Sequence, residues 1–521
     1  MTILIRLIKS PILKKTGQTE EKRRKTKHYF SSALDSMSIN KKRFLLCSAA
    51  LLLFAGLAAA QDFEATIKVS SSGASVTGKL LKQCGENWSF LKSVANAEKL
   101  GARVSDFKLL DENNRAVSSK KLIEGEFLAE EKACGFQYQI NLESLANAAT
   151  TRAHVSWLEG EQGILMTGDL LPQFSIDNQS FAGQIEFELP PDWKIISSEK
   201  NIGKNVFDVR DVNAGVFAVG KNWRETSSAN LNLAISGEWQ FEDAEAAQMA
   251  NDIYEEYKKL FGENPRKKTQ IFLAPLPKDA RFGRWEAETR GANLTILSAG
   301  KPFKSQSIQL LHEQLRHELF HLWIPNNLNL DGDYDWFYEG FTVYQALRTG
   351  VATNQIRFED FLATLAEARH SDNFQTSRTS LIESSKNRWN GTHSQIYARG
   401  MLVAFLSDVA VLKDSGGKRS IENIFREIYQ KHRFPNSKAN GNAAISDVLK
   451  NYAPLAAIVK RYIEGAEKIA WETDLQTLGI ETNSENSFPK LQVKANLSGK
   501  QKDLLNKLGY NNWRKISRKS K

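Results

Sequence analysis

The sequence predicts an α+β protein in which a β-rich, sandwich-like N-terminal domain precedes a mainly helical domain with a small sheet. Residues 64–70, 136–142 and 184–189 alternate polar and apolar side chains with a period of two, which is typical of half-buried strands. Near residue 243 the apolar period becomes that of helices, which continue to about residue 470. At 521 residues, the chain is long enough for two or three domains with their own cores.

The β-rich domain is predicted over residues 61–240. Further short strands are expected near 153–158, 206–210 and 231–235, with Gly and Asn in the turns between them. Repeated short strands of this kind favour a sandwich. No catalytic spacing is present here, and His154 is isolated in the sequence, so we expect it to be structural.

The N-terminal residues resemble a targeting signal. Lys41 to Arg43 precede an apolar run from Phe44 to Ala60 that ends in small residues, the pattern of a secretory signal peptide. We therefore predict a signal peptide over residues 37–60, cleaved near Ala60-Gln61, and an exported protein that is periplasmic or extracellular. An uncleaved N-terminal anchor is the alternative, although the apolar run is slightly short for a membrane span.

The net charge of +10 is concentrated at the two ends of the chain. Residues 1–60 hold 12 Lys and Arg against 3 Asp and Glu, and residues 490–521 hold 10 against 1. Within the first segment, residues 1–36 are predicted to be an extension assigned ahead of the true start at Met37, which gives the usual short basic region. The body between the two ends is acidic, so no specific nucleic-acid partner is expected.

A basic C-terminal tail is predicted over residues 481–521. Its functional interpretation is peripheral contact with anionic surfaces through residues 490–521. A solvated, partly disordered end is the alternative.

Two cysteines, Cys84 and Cys134, remain after removal of the signal peptide. In an exported protein this even pair makes a disulfide plausible. Two free buried thiols are the alternative, since sequence alone does not establish that their Cα atoms lie within bonding distance.

The mainly helical domain is predicted over residues 241–480. A helix begins at Asp243 and runs to about Phe261, and Thr269–Ala274 and Leu294–Ser298 are predicted strands. The stretch Arg281–Gly291 is predicted to be a loop, because it is rich in charged residues and Gly.

A helix predicted from Ser305 to Trp323 carries the residues with the most specific chemistry. His317 and His321 are four residues apart and therefore project from one face, so both imidazoles can bind the same cation. Glu318 is the next residue round the helix, where it can reach a metal-bound water without being a ligand. His312 lacks a partner at the same spacing, because position 316 is Arg, and is expected to be structural or on the surface.

A third ligand is predicted at Glu339, 18 residues after His321. It lies in a second predicted helix, Trp336 to Leu347, which can pack against the first and direct its carboxylate at the same ion. Nitrogen and oxygen donors in tetrahedral geometry suit Zn²⁺, with one position left open for water. The sequence thus predicts one zinc ion held by His317, His321 and Glu339.

These residues resemble a known group of enzymes. His-Glu-x-x-His followed by Trp-Phe-Tyr-Glu-Gly-Phe-Thr-Val-Tyr at 336–344 resembles the gluzincin metallopeptidases, and in particular the glycyl aminopeptidase family. The run Ile396–Ala404 is similar to the Tyr-x-Lys/Arg-Gly element of that family and of the large zinc aminopeptidases. The resemblance implies a thermolysin-like catalytic domain in which the hydroxyl of Tyr397 stabilises the oxyanion. A tyrosine of the core is the alternative.

Three features depart from the family. The interval from His321 to Glu339 is shorter than is usual in glycyl aminopeptidases. The Gly-x-Met-Glu-Asn element, whose Glu binds a free amine in the large aminopeptidases, is missing, and Arg290–Thr295 stands about where it would fall. We also expect the C-terminal PDZ domain common in the family to be absent, because only about 40 residues follow residue 480.

The function implied is that of an exported zinc metallopeptidase acting on peptide or protein substrates. In it, zinc would lower the pKa of a water molecule, Glu318 would take the proton as general base, and Tyr397 would stabilise the oxyanion. The resemblance favours an aminopeptidase and leaves an endopeptidase open. The alternative is a catalytically degenerate zinc protein or a surface-binding protein that acts through its basic tail.

Overall fold

The computed structural model describes residues 61–143, 152–173, 181–276, 284–375, 377–483 and 490–511. The predicted signal peptide and the extension before it lie outside the described residues, as do residues 512–521 of the predicted tail.

Three sheets make up the N-terminal part of the chain. Their strands are β1 Phe63–Val69, β2 Gly73–Leu80, β3 Gly85–Ser89, β4 Val104–Leu110, β5 Ala116–Val117, β6 Ser119–Ile123, β7 Glu126–Ala133, β8 Gly135–Asn141, β9 Trp157–Glu159, β10 Gln162–Met166, β11 Gly183–Glu188, β12 Lys194–Ser197, β13 Lys200–Gly203, β14 Val206–Val209 and β15 Val216–Gly220. The orders are β13-β14-β11-β1-β2-β8-β4-β5, β12-β15-β10-β9 and β3-β7-β6. Apolar residues of β1 are buried at every second position, as the alternation predicts.

A fourth sheet connects this part to the helices. Its strands are β16 Arg224–Ser227, β17 Leu231–Ile235, β18 Thr269–Pro275, β19 Trp285–Arg290 and β20 Asn293–Ser298, in the order β16-β17-β18-β20-β19. Strands β17, β18 and β20 are parallel, whereas β19 is antiparallel to β20 and has no partner on its other edge among the described strands. Two of these strands precede residue 240, and the domain boundary at that residue stays a prediction.

The helices follow the sheets. They are α1 Thr167–Leu170, α2 Asp243–Phe261, α3 Lys304–His321, α4 Thr342–Ala352, α5 Phe358–Asn373, α6 Leu381–Lys386, α7 His393–Asp414, α8 Ile421–His432, α9 Gly441–Lys450, α10 Ala456–Ile458, α11 Glu472–Leu478 and α12 Gly499–Lys507. π-helical segments occupy Trp336–Phe341, Arg388–Thr392 and Val459–Ile463, and 3₁₀ turns occupy Leu100–Arg103, Arg152–His154 and Ala453–Leu455. Two small ribbons pair β21 Leu330–Asp331 with β22 Ala439–Asn440, and β23 Ile480–Asn483 with β24 Lys490–Val493.

The elements stack in layers. The eight-stranded sheet packs on one face of the four-stranded sheet, where Phe217 and Val219 of β15 join its core. From the opposite face of β15, Val216 and Ala218 contact the five-stranded sheet. The far face of that sheet packs against α2, α3 and the remaining helices in the largest core. This arrangement confirms the predicted α+β class.

One predicted loop is wrong. Most of the described part of Arg281–Gly291 is strand β19. Its side chains Glu286 and Glu288 are not solvated as in a loop, because they line a cavity. Gly291, with φ of +61°, makes the turn into β20.

Cys84 and Cys134 are bonded, with their Cα atoms 4.4 Å apart. Part of the predicted C-terminal tail is also folded: Leu491 of β24, together with Leu504 and Leu505 of α12, is buried in the helical core.

Among the described helices, one, from Arg388 to Asp414, is long and apolar enough to cross a membrane by length and composition. Inside the protein, 83% of its most apolar window is buried. Such burial is typical of a core helix.

Candidate metal centre and active site

Helix α3 brings the two predicted imidazoles together. Its apolar residues, including Leu315 and Leu319, are buried against the five-stranded sheet and neighbouring helices, which turns the opposite face toward a cavity. On that face, Nε2 of His317 lies 3.1 Å from Nε2 of His321. Nδ1 of His321 lies 3.0 Å from the carbonyl oxygen of Ile324. This fits the tautomer in which Nδ1 carries the hydrogen and donates it to that carbonyl, so that the lone pair of Nε2 can bind a metal.

Glu339 joins them from the π-helical segment Trp336–Phe341. Its Oε2 atom lies 3.1 Å from Nε2 of His317 and 3.7 Å from Nε2 of His321. The wider turn of a π-helix re-aims side chains and is common at functional sites.

A pair of glycines allows this segment to approach α7 closely. A Cβ atom at Gly340 would lie 2.5 Å from the Cα atom of Gly400 and 2.7 Å from the carbonyl oxygen of Ile396. Only glycine therefore fits where the helices cross. Glu339, next to Gly340, and Tyr397, one turn before Gly400, are brought near each other by this contact.

The three donor atoms fit a zinc ion. Two ligands each 2.0–2.1 Å from a tetrahedral zinc are about 3.3 Å apart, close to the 3.1–3.7 Å separations found. Among the described residues, His317, His321 and Glu339 are the group whose donor atoms all lie within 4.8 Å of one another. All three side chains are buried, and nitrogen and carboxylate donors are those of catalytic zinc sites.

The local electrostatic field also favours a cation. Burial lowers the pKa of His321, but the Glu339 and Glu318 carboxylates outweigh it and raise that pKa to about 9. Burial likewise acts to raise the pKa of Glu339, yet Arg388 and the two histidines hold it well below the usual value. The site is therefore one in which a positive charge between these side chains is stabilised.

Glu318 lies beside the metal group without belonging to it. Its Oε2 atom accepts a hydrogen bond of 2.6 Å from the hydroxyl of Thr289 on β19. The same hydroxyl lies 3.2 Å from the Glu318 carbonyl oxygen. This contact with the strand limits rotation of the carboxylate, and Glu318 lines the cavity.

Tyr397 enters the same cavity from the first turn of α7. Its ring stacks at 6.3 Å from that of His317, and its hydroxyl accepts a hydrogen bond of 2.8 Å from Nη2 of Arg388. Burial raises the pKa of Tyr397 well above its usual value, and nearby Glu339 adds to this while Arg388 opposes it. The phenol is therefore neutral and keeps its proton for donation.

Strand β19 forms the opposite wall. Nδ1 of His154, from the N-terminal part, lies 2.8 Å from Oε2 of Glu288. Burial acts to raise the pKa of Glu288, but His154, Arg290 and Arg388 hold it at about 2. Glu286 is buried, with Oε1 paired to Arg284 at 2.9 Å, and its carboxylate also accepts hydrogen bonds from the backbone of Ala153 and Arg152.

These walls enclose a cavity of about 430 Å³, within the size range of small-ligand sites. All five predicted site residues line it: His317, Glu318, His321, Glu339 and Tyr397. A second, mostly apolar cavity of about 90 Å³ shares Trp285, His317, His393 and Tyr397 as walls and extends toward Met401.

Several lining residues are not predicted from the sequence: His154, Glu286, Glu288, Thr289, Arg388 and His393. His154, expected to be structural, reaches the site only because the four-stranded sheet packs on the five-stranded one. The alternate spacing of Glu286 and Glu288, which is typical of a strand, was the signal that could have identified them. The many charged residues of this segment favoured a loop instead. His312 lies on α3 but away from this cavity, as expected, and burial lowers its pKa to about 3.

Solved structures share this fold. The chain is similar to an aminopeptidase N family protein from Idiomarina loihiensis, with a TM-score of 0.69 and 15% identity over 84% of this chain and 82% of that one. It is also similar to the M1 zinc metallopeptidase of Deinococcus radiodurans, with a TM-score of 0.53 and 14% identity over 79% of this chain and 95% of that one. A mutant of the latter bound to the substrate Tyr-Ser-Ala gives a TM-score of 0.52, at 14% identity and the same coverage of each chain.

The sequence itself matches no protein-family model and no curated protein. At these identities the likeness is one of fold: the chain has the two-part α+β fold of the M1 zinc metallopeptidases.

Proposed function

We propose that the protein is a zinc-dependent metallopeptidase that hydrolyses peptide bonds, with aminopeptidase activity as the favoured form. The observation that carries the proposal is that His317, His321, Glu339, Glu318 and Tyr397 line one cavity. Three donors for an ion, a carboxylate beside it and a phenol facing it are the parts needed to hydrolyse an amide. The fold shared with M1 zinc metallopeptidases supports the same conclusion.

His317, His321 and Glu339 would hold the zinc ion. Bound there, zinc would supply the Lewis acidity that makes water a stronger acid near neutral pH. Glu318 accepts the proton of the attacking water and returns it to the leaving amine. Tyr397 donates a hydrogen bond to the carbonyl oxygen as negative charge develops there.

The preference for a free amino terminus is supported by the strand wall. Glu286 and Glu288 provide carboxylates in the same cavity, and an ammonium group would find acceptors there that a blocked terminus could not use. The bound Tyr-Ser-Ala of the Deinococcus radiodurans mutant suggests a substrate of tripeptide size for this chain too.

The decisive experiment compares wild type with Glu318→Gln, each purified and loaded with zinc. Glu318→Gln is expected to lower kcat by about 10²–10⁴-fold, because it removes the proton acceptor, while the zinc content stays near one per chain. Glu359→Gln, the same change at an exposed residue of α5, is the control and should match wild type. Full peptide turnover by Glu318→Gln would refute the role of general base.

A panel of free and N-acetylated peptides distinguishes the two peptidase forms. Faster cleavage of free peptides, one residue at a time, is expected for an aminopeptidase. Cleavage inside N-acetylated peptides at equal rates would establish an endopeptidase instead.

Export is part of the proposal. It is supported by the signal-like run Phe44–Ala60 and by the bond between Cys84 and Cys134, since disulfides persist in oxidising compartments. N-terminal sequencing of the mature chain should give a start near Gln61. A mature chain that begins before residue 37 would contradict it.

Peripheral contact with anionic surfaces through residues 490–521 also remains a proposal. Truncation at 490 would remove Leu504 and Leu505, which are part of the helical core, so the cleaner variant ends at Asn511. It removes five of the ten basic residues, from Arg514 to Lys521. Weaker sedimentation with anionic vesicles would support the surface role, and unchanged sedimentation would refute it for that end.

A further inference from the structure

Arg388 links two groups that have separate roles in the proposed reaction. Its Nη2 atom lies 2.9 Å from Oε1 of Glu339 and donates a hydrogen bond of 2.8 Å to the hydroxyl of Tyr397. Its Nη1 atom lies 2.9 Å from Oδ1 of Asp335 and 3.4 Å from the hydroxyl of Tyr338. The side chain is 14% exposed and lines the cavity.

The contact with Glu339 selects one oxygen of its carboxylate. Arg388 binds Oε1, while Oε2 is the atom that faces His317 and His321. The guanidinium is a rigid planar fork, and with Nη1 held by Asp335 its Nη2 atom restrains the position of Oε1. The oxygen directed at the histidines is therefore the one left for a metal.

The contact with Tyr397 determines which way its hydroxyl can act. A phenol has one hydrogen to donate and lone pairs that accept. Arg388 cannot accept a hydrogen bond, so it occupies an acceptor site of Tyr397 and leaves the hydrogen for another partner. The Glu339 carboxylate lies within hydrogen-bonding reach of this hydroxyl, and a carbonyl oxygen that enters the cavity would take over that hydrogen bond.

The anchoring of Arg388 is independent of the metal group. Its Nη1 side is fixed by Asp335, which precedes the π-helical segment, and its guanidinium lies 4.7 Å from the centre of the Trp389 ring. The backbone that supplies it is sharply bent, with Gly391 at φ of +95°. The guanidinium thus has a fixed position from which to hold both groups.

We infer that Arg388 is a positioning residue that holds Glu339 for monodentate metal binding and presets the Tyr397 hydroxyl as a donor. The inference rests on the proposed function for its second half. The first half concerns metal affinity alone and can be tested whether or not the protein cleaves peptides.

The test uses the mature chain and Arg388→Met, which keeps an unbranched side chain and removes the charge and the fork. Zinc affinity is measured by competition with a chromophoric chelator. Loss of an outer-shell partner weakens metal binding by about 10- to 100-fold, and that weakening is expected here. Arg357→Met is the matched control, because Arg357 is exposed and pairs with Asp360 on the surface. Its zinc affinity should equal that of wild type.

Turnover at saturating zinc tests the second half. Arg388→Met should lower kcat by more than about 10-fold with KM within about threefold, since the lost interaction acts in the transition state. In a Tyr397→Phe background the same substitution should lower kcat much less, because the hydroxyl it orients is already gone. Arg388→Lys restores the charge without the fork and should recover only part of both losses.

Three results would overturn the inference. Unchanged zinc affinity in Arg388→Met refutes the role toward Glu339. A rise in KM alone shows that Arg388 binds substrate, and equal losses of kcat in both Tyr397 backgrounds show that it does not act through Tyr397. Should Arg388→Met fail to fold, Arg388→Gln takes its place, because it also removes the charge and the contacts of Nη2 with Glu339 and Tyr397. Unchanged zinc affinity in Arg388→Gln would likewise count against the inference.

If wild type binds zinc and cleaves no peptide, the proposed function fails. Weaker zinc binding by Arg388→Met would then still support the positioning of Glu339.

Discussion

The two walls of the cavity differ in what they supply. The helical wall, formed by α3, the segment Trp336–Phe341 and α7, holds the three donor atoms within 4.8 Å of one another and also carries the phenol. The strand wall, formed by β19 and backed by His154, holds carboxylates whose pKa values are shifted in opposite directions. We infer that the helical wall carries out the proposed chemistry. The strand wall contacts the substrate and makes the stability of the protein depend on pH.

The largest effect is expected when a predicted zinc ligand is removed from the helical wall. His321→Ala is expected to weaken zinc binding by more than about 100-fold, the upper end of the effect of losing an outer-shell group, because it deletes a ligand itself. Peptide turnover should be lost with the metal. His312→Gln, on the same helix but away from the cavity, should keep wild-type zinc affinity, measured by chelator competition. Equal weakening by both variants would mean that α3 is merely destabilised.

A smaller effect is expected at the phenol. Tyr397→Phe should lower kcat by about 10²–10³-fold with little change in KM, as for other oxyanion donors, because its hydrogen bond strengthens only in the transition state. Zinc content should not change. Steady-state kinetics on one peptide at saturating zinc give both parameters, and a variant with normal kcat would assign Tyr397 to the core instead.

The smallest effect is expected at the strand wall, and it depends on pH. Burial raises the pKa of Glu286 from its usual value of 4.5 to about 7. A carboxyl group with a raised folded pKa contributes stability below its unfolded pKa, and this is lost as pH rises through about 7. Glu286→Gln should therefore be more stable than wild type at pH 8, by about 1–3 kcal/mol, and nearly equal to it at pH 4.5.

Urea unfolding of the metal-free proteins at both pH values measures this difference. Glu359→Gln, at an exposed position, should show no such dependence on pH. A Glu286→Gln stability difference that is the same at pH 4.5 and pH 8 would show that burial does not penalise the Glu286 carboxylate.

The contrast between the walls also explains what sequence can predict. His317, Glu318 and His321 are close because helical periodicity brings them together, and a nearby Glu in a second amphipathic helix completes the group. Such local spacing can be recognised in a single sequence. Their placement with Tyr397 in one cavity agrees with the predicted site, while the role of each residue stays a prediction.

The strand wall depends on contacts between distant segments. His154 meets Glu288 only after two sheets have stacked, and no periodicity relates residues that far apart. The error at Arg281–Gly291 has the same origin, since charged residues predict solvent unless a polar cavity is known to lie beside them. Arg388 was missed because an arginine in a Gly- and Asn-containing stretch is ordinarily a surface residue.

The close contact between Gly340 and Gly400 limits how the sequence can change in related proteins. Every mutation of a glycine enlarges it, so even the mildest change at either position forces apart the segments that carry Glu339 and Tyr397. A descendant could therefore keep every residue of the His-Glu-x-x-His motif, the third Glu and the tyrosine, and still lose their alignment. In related chains, the motif residues alone therefore predict activity less well than the motif residues together with this pair of glycines.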